Sequence, residues 1–336
     1  MKATAKVLFL LVISVLVLSS CGNKHDDPTP QIDQSMVSVN VSYVNETGAL
    51  SAVLSVNKIS GLNNASFGLC LGKSPKPTTA TAVQKLATPV MSFSQSSYSN
   101  KFDFVNIDKS SDYYLCVYAN LNGTITYFDD IIIETYAVKD IDVNRYHEVK
   151  IGNQTWLVEN LRTTKYLNSD PISYVTDMPT WQASKTGSYC WANNNLETGK
   201  THGALYSGYV VTDKRGIAMK GYHVPTYAEW QELSKFVGSD FNGGSKLMKK
   251  DASWGQTIAT NETEFSAMPN GAVGQATPTS PYIIGWFGEA ASFLSSDLYG
   301  STICMPVIEK QFHALNIGGY FDLSCGSGIR LIKDKV

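Results

Sequence analysis

Charge of one dominant sign is what this chain most plainly lacks. Its 336 residues carry 27 lysines and arginines against 29 aspartates and glutamates, a formal net charge of -2. No basic field of the kind that neutralises phosphates is present, so nucleic acid is not an expected partner. Histidine is scarce at five residues, and the spacings Cys-x-x-Cys, His-Glu-x-x-His and Asp-x-Asp-x-Asp-Gly do not occur. Zinc-site and EF-hand readings therefore fail on ligand spacing, and neither a metal nor a cofactor is expected. Gly238-Ser-Asp-Phe-Asn-Gly243 has the glycines of a phosphate loop, but Gly244 stands where its lysine is needed. Gly326-Ser-Gly328 lacks the spacing of a nucleophile elbow. Six cysteines are too few for a disulfide scaffold. What remains is a near-neutral chain, 43% hydrophobic, with material for two ordinary domains.

Its most apolar run stands at the N-terminus. Lys2 and Lys6 precede Val7–Leu18, a charged start followed by an apolar core too short to span a bilayer comfortably, which reads as an export signal. The run ends in Leu18-Ser-Ser-Cys21, which resembles the bacterial lipobox. The resemblance implies a signal peptide over residues 1–20 and a diacylglycerol on the Cys21 thiol; the plainer alternative is a secretory signal with a chance cysteine. Buried acyl chains contribute roughly 0.8 kcal/mol per CH₂, so more than one chain makes a stable anchor. Residues 21–35 are polar and proline-interrupted, a tether composition. Asp26-Asp27 resembles the acidic surface-export signal of Bacteroidetes lipoproteins, which implies the outer face of the outer membrane; a solvated linker is the bland alternative.

From Met36 the hydrophobic period is two. Val37, Val39, Val41 and Tyr43 alternate with polar residues, Asn45-Glu-Thr-Gly48 turns, and Leu50, Ala52, Leu54 and Val56 alternate again, a β-hairpin. Phe67, Leu69 and Leu71 predict a third strand and residues 101–107 another. Tyr113, Leu115, Val117 and Ala119 then face one way and Tyr114, Cys116 and Tyr118 the other, before Asn122-Gly123 turns into residues 124–128. Short, regularly punctuated strands predict an all-β sandwich over 36–136, and Tyr-x-Leu-x-Val-x-Ala resembles the penultimate strand of a fibronectin type III domain. That likeness implies a spacer, with Tyr114, Tyr118 and Tyr127 as pleat filling. Cys70 and Cys116 fall opposite the apolar rows on strands that would be neighbours. They are a candidate disulfide, although cross-strand pairs often miss the required separation.

The rest of the chain is organised around Gly221-Tyr-His-Val-Pro-Thr-Tyr-Ala-Glu-Trp-Gln-Glu-Leu233. Thr226 followed three residues later by Glu229 is a capping box, and Trp230, Leu233 and Val237 form one apolar face ahead of Gly238. Upstream, residues 146–151 and 154–158 predict strands joined at Gly152-Asn153, and residues 163–200 predict loops interleaved with Trp181, Tyr189 and Trp191. Downstream, residues 245–250 predict a short helical piece, and 264–268, 290–295, 304–309, 314–317 and 328–332 short strands. The signature run resembles the hallmark of the Fibrobacter succinogenes major paralogous domain, a module of bacterial surface proteins. Ile151-Gly-Asn-Gln-Thr-Trp-Leu-Val-Glu-Asn-Leu-Arg162, Tyr189-Cys-Trp-Ala-Asn-Asn-Asn195, Gly203-Ala-Leu-Tyr206, Gly243-Gly-Ser-Lys-Leu247, Trp254, Phe265-Ser-Ala-Met-Pro-Asn-Gly271, Phe293-Leu-Ser-Ser-Asp297 and Ile329-Arg-Leu-Ile-Lys-Asp334 agree in order. The resemblance implies an α+β C-type lectin-like domain over 146–334, its last strand returning beside the opening hairpin. Many members carry two cysteines where this chain has Ala218 or Met219 and Leu331, so that bridge is absent and apolar contact is expected in its place.

The resemblance supplies no reaction. Calcium-dependent sugar binding is not expected, since the lectin Glu-Pro-Asn and Trp-Asn-Asp motifs are missing, and the reactive cysteine pair of formylglycine-generating relatives has no counterpart. Cys304 with His313 is a candidate thiolate pair that nothing orients. His223 reads as a hydrogen-bonded brace, Trp156, Thr226, Glu229 and Trp230 as structural, and Glu159 as a second brace. Trp191 with Asn193, Asn194 and Asn195 reads either as rings and amides offered to a sugar or as a turn cluster. Tyr282, Trp286 and Tyr299, in aromatic-rich loops, are the remaining ligand candidates. The expected function is a lipid-anchored, surface-exposed binding or adhesion protein whose ligand is a glycan or a protein. The alternatives are an assembly subunit of the envelope and, last, an enzyme.

Overall fold

The computed structural model describes residues 32–335, apart from 45–48, 109–110, 239–241, 256–258, 276 and 278. The export signal, Cys21 and the tether lie outside the described residues. The chain divides into two units between Thr135 and Tyr136. It is rich in short strands and poor in helix.

Seven strands make the first unit: β1 Val37–Val44, β2 Ala49–Asn57, β3 Ala65–Gly72, β4 Gln84–Ala87, β5 Ser97–Phe104, β6 Tyr113–Leu121 and β7 Thr124–Ile133. They form two antiparallel sheets, ordered β1-β2-β5 and β4-β3-β6-β7. The period-two pattern becomes burial directly. Leu50, Ala52, Leu54 and Val56 of one sheet meet Phe67, Leu69, Leu71, Leu115 and Val117 of the other in a single core. The β6–β7 turn has Asn122 and Gly123 at φ 51° and 88°, as a two-residue primed turn requires. Strand β4 has no period long enough to read in the sequence. It extends the sheet beside β3, whose eight residues are all buried.

Cys70 and Cys116 stand directly opposite one another on β3 and β6, yet both are free thiols. The candidate disulfide is thus not present. The Cys116 Sγ donates at 3.1 Å to the carbonyl of Phe128 on β7, the neighbour on the far side of β6 from β3. Its thiol is directed away from its counterpart, and the ladder shifts register between Cys116 and Tyr118 on that side.

The second unit begins with a two-stranded ladder, Val138–Lys139 and Arg145–Tyr146, followed by the hairpin Glu148–Ile151 and Gln154–Leu157. Ile332–Lys333 adds to it through Trp156 opposite Ile332, and Tyr222–His223 pairs the other edge of that last strand. The chain's final strand therefore lies inside a four-stranded sheet beside the opening hairpin. A second sheet runs Ser173–Tyr174, Ser188–Trp191, Ala204–Ser207, Gly326–Ser327, Ala272–Gln275, Tyr282–Gly285. The unit also has two three-stranded sheets among the described residues, one of Ala290–Ser292, Val307–Glu309 and Ala314–Asn316, the other of Leu298–Tyr299, Thr302–Cys304 and Tyr320–Asp322. Met219 and Leu331 are both buried members of one apolar cluster.

Among the described residues there are four α-helices: α1 Met178–Ala183, α2 Leu196–His202, α3 Gly208–Thr212 and α4 Tyr227–Val237. Helix α4 begins and ends where the sequence predicts, with the capping box formed and Trp230, Leu233 and Val237 buried. The first two correct the loop expectation for 163–200. Each is under two turns, too short for a hydrophobic period, but each is started by a side-chain cap, Asp177 on the Thr180 N–H and Asn195 on the Thr198 N–H. The strand expected at 264–268 is absent except for a bridge from Ala267 to Met248. Glu264 and Ser266 adopt φ of 58° and 55°, which breaks an extended run. The helical piece expected at 245–250 is a single 3₁₀ turn, Gly244–Lys246.

Candidate functional site

The signature motifs converge on the interior. Trp156 of the hairpin and Trp230 of α4 pack with centroids 4.8 Å apart, and Phe265 and Phe293 close the group at 5.6 Å from Trp156 and 5.1 Å from Trp230. Arg330, fully buried, sits 4.4 Å over the Phe265 ring and 5.5 Å from that of Phe293. Burial pulls its pKa down to about 9, which leaves it protonated at neutral pH. Its donors are taken by Asn160 Oδ1 and the Phe265 carbonyl. Trp156 and Trp230, expected to be structural, are indeed walls of a core.

His223 is half-buried and bridges two elements. Its Nδ1 lies 2.7 Å from Asp334 after the last strand, and its Nε2 2.9 Å from Glu229 in the first turn of α4. Burial opposes its charge, but the bonds to Asp334 and Glu229 together raise its pKa. Glu229 also accepts from the Thr226 N–H and hydroxyl, and these bonds, with His223, outweigh burial and hold its pKa below the ordinary range. Both nitrogens and both carboxylates are thus committed to closing the fold. Glu159 braces the opening hairpin in the same manner, accepting from the His147 N–H at 2.9 Å with its other oxygen 2.6 Å from Nδ1.

The candidate thiolate pair is not assembled. The Cys304 thiol donates to the Ile317 carbonyl, and burial pushes it up to about 11, while His313 occupies the turn between strands 307–309 and 314–316 at φ 51°. Cys190 is pushed up to about 12 by burial, and Cys325 upward. Among the described residues no group of three or more His, Cys, Asp or Glu is placed to hold a metal ion.

The predicted ligand candidates scatter. Trp191 is a packing ring: a Cβ on Gly199 of α2 would lie 2.5 Å from its Cε3, so α2 rests on the indole. Asn193 and Asn194 adopt φ of 53° and 51° and Asn195 caps α2, which makes the asparagine run the turn cluster and not an amide display. Tyr282 is buried, its hydroxyl 2.6 Å from Ser324 Oγ. Tyr282 begins a strand and belongs to the unit's apolar cluster, which corrects its placement in a loop. Trp286 is exposed on the turn after strand 282–285 at φ 58°. Tyr299 is 77% exposed, the most open large hydrophobic side chain described.

Tyr299 does not stand alone. Its ring is 5.8 Å from that of Tyr320, tilted 59°, and Tyr320 is in turn 6.4 Å from Tyr227, tilted 35°. Tyr299 pairs with Thr302, which pairs with Asp322, and Tyr320 pairs with Cys304 in the adjacent row, so Tyr299, Tyr320, Thr302 and Asp322 share one face of the small sheet. Burial and the neighbouring Cys304, Tyr227, Asp297 and Tyr299 raise the Tyr320 pKa, which keeps the phenol neutral. Tyr227 is the first residue of α4 and donates its N–H to Asp297 Oδ2. Pro225 accepts from the Ser296 N–H at 2.8 Å and the Ser295 hydroxyl at 3.0 Å. Two signature motifs thereby lock the base of a three-tyrosine stripe, Tyr299 and Tyr320 exposed and Tyr227 half-buried, with Asp297 and Asp322 near it. Sequence reading found Tyr299 only. Tyr227 occupies an unconstrained position of its motif, and Tyr320 follows Gly318-Gly319, where no period announces a strand.

No curated protein and no solved structure gives a match to the chain. Residues 149–326, more than half of it, match the family described as the Fibrobacter succinogenes major domain. The matched span runs from the opening hairpin to the strand at Gly326, and takes in Trp156, α4, Phe265 and Phe293 of the aromatic core. By that match, the chain belongs to the Fibrobacter succinogenes major domain family.

Proposed function

We propose that the protein is a lipid-anchored, surface-facing binding protein in which a fibronectin type III-like sandwich spaces an α+β, lectin-like module from the outer membrane and that module engages a ligand through the stripe Tyr227, Tyr320 and Tyr299. The observation that carries this reading is the stripe itself. Tyr299 and Tyr320 are exposed on one face of a small sheet, with the half-buried Tyr227 ring of α4 beside Tyr320, and exposed aromatic groups on rigid elements are what binding faces present. In support of the spacer, the three- and four-stranded antiparallel sheets have the two-layer arrangement such a domain requires. The anchor rests on Leu18-Ser-Ser-Cys21, and the outer face on Asp26-Asp27.

The test has two parts. Metabolic labelling with an alkynyl fatty acid is expected to tag the wild-type chain and not Cys21→Ser, with whole-cell protease shaving removing the protein from the surface. On an array of glycans and extracellular proteins, Tyr299→Ala with Tyr320→Ala is expected to lose the signal that wild type gives. An unchanged array signal in the double variant removes the stripe as the binding face.

A further inference from the structure

We infer that the stripe's ligand is an uncharged hexose polymer that winds as it runs, taken one pyranose ring per tyrosine. This deepens the binding reading above and rests on it. Three observations select the chemistry.

The first is charge. Two carboxylates stand near the rings: Asp297, which accepts from the Tyr227 N–H, and Asp322 in the row of Tyr299 and Thr302. Asp322 is held below the ordinary carboxylate range by the Ser324 hydroxyl, with Lys185 helping from a distance. A sulfated, phosphorylated or uronate chain would meet these charges with repulsion. The N-terminus of α4, where an anion would otherwise settle, already receives the Asp297 carboxylate. Carboxylates beside aromatic rings instead suit hydroxyl donors.

The second is the surface itself. A pyranose ring has an apolar face of C–H bonds and an equatorial rim of hydroxyls, so it stacks on a phenol ring while its rim reaches neighbouring polar groups. Asp322 lies on the same face of the sheet beside Tyr320, and Thr302 beside Tyr299, where its hydroxyl donates to the Tyr299 carbonyl and keeps lone pairs to accept. The Tyr320 hydroxyl, held neutral, keeps its proton as a further donor.

The third is spacing and tilt. Successive centroids are 6.4 and 5.8 Å apart, comparable with the advance of a glycan per sugar, and the planes turn by 35° and then 59°. A flat ribbon such as a β-1,4-glucan cannot lie against rings that turn so far. A chain that rotates between residues, such as an α-1,4- or β-1,3-glucan, can.

The experiment is affinity electrophoresis of the full chain through native gels containing glycogen, laminarin, hydroxyethyl cellulose, alginate or no polymer, with a proline-rich peptide titrated separately by fluorescence. Retardation is expected in glycogen or laminarin, weaker by at least fivefold in hydroxyethyl cellulose, and none in alginate. Tyr299→Ala and Tyr320→Ala are each expected to reduce the retardation at least fivefold and Tyr299→Phe less than twofold, all three keeping the wild-type near-ultraviolet circular dichroism. Retardation by alginate alone, or by none of the neutral glucans, overturns the ligand assignment. Retardation by a neutral glucan that Tyr299→Ala leaves untouched overturns it as well, and with it the stripe. Binding of the proline-rich peptide that Tyr299→Ala abolishes, with no glucan retardation, overturns the sugar while leaving the stripe as the binding face.

Discussion

Arg330 and Asn160, 170 positions apart in the chain, meet inside the second unit: Nε and Nη2 of the guanidinium donate to the same Asn160 oxygen at 2.9 and 2.7 Å. Asn160 passes the connection on, its Nδ2 donating to the His202 carbonyl at the end of α2. A buried cation is thus satisfied by an amide, a carbonyl and two aromatic faces in place of a carboxylate. Asn160→Ala strands those donors, and the expected loss is about 3 kcal/mol of unfolding free energy. In a double-mutant cycle with Arg330→Met, followed by urea unfolding, the two changes are expected to be less than additive by about 1 kcal/mol or more.

The His223 bracket gives the second unit a pH window. A histidine whose folded pKa is raised stabilises fully below its unfolded value near 6.5 and loses that contribution as pH rises through the folded pKa. Glu229, with its folded pKa lowered, contributes fully above about 4.5 and loses it as pH falls through the folded pKa. Both act together between about pH 4.5 and 6.5. His223 is more than a third exposed, so screening keeps its share to a few tenths of a kcal/mol, on the order of a surface pair. Melting temperature followed against pH is expected to fall above neutrality in wild type, and that limb is expected to vanish in His223→Gln.

Thr226→Ala removes one half of the capping box and is expected to cost about 1 kcal/mol, whereas Thr226→Ser retains the bond and most of the stability. Thermal unfolding of the two variants side by side checks it.

Much of the fold was readable for one reason: where apolar periods run long, as in β2 and α4, burial follows the pattern with little help from elsewhere. Strand β4 and helices α1 and α2 escaped because each is four to seven residues and is held by neighbours and caps. The candidate site was legible in one residue of three. Tyr299 announced itself only as an aromatic in a polar segment, and its partners come from the start of α4 and from a strand some twenty residues downstream. Asn193 to Asn195 stayed ambiguous in the sequence, since asparagine serves a left-handed turn as readily as it serves a ligand.

Gly203 closes α2 at φ 88°, and a Cβ there would stand 2.5 Å from the Asn160 Cβ and 3.1 Å from the Leu161 carbonyl. Gly203→Ala is expected to lower stability by about 2 kcal/mol or more, because strain and collision fall on the residue that supports Arg330. A fall in melting temperature measures it.

The five described cysteines are buried thiols. With Cys70 pushed up to about 11 and Cys190 to about 12, almost no thiolate exists at neutral pH, so a disulfide-exchange reagent is expected to label the native protein slowly. Alkylation in denaturant without reductant, read by mass spectrometry, is expected to modify all five. A pair found protected at Cys70 and Cys116 counts against the thiol assignment.

The strand at Ile332–Lys333, placed between the 148–157 hairpin and the Tyr222–His223 edge, imposes an order on assembly of that sheet. Neither neighbour can complete the sheet until residues 332–333 arrive from more than a hundred positions away, so loop-closure entropy is met late and in one step. Until that docking the hairpin and the edge strand keep unpaired backbone groups, and the four-stranded sheet forms as one cooperative event.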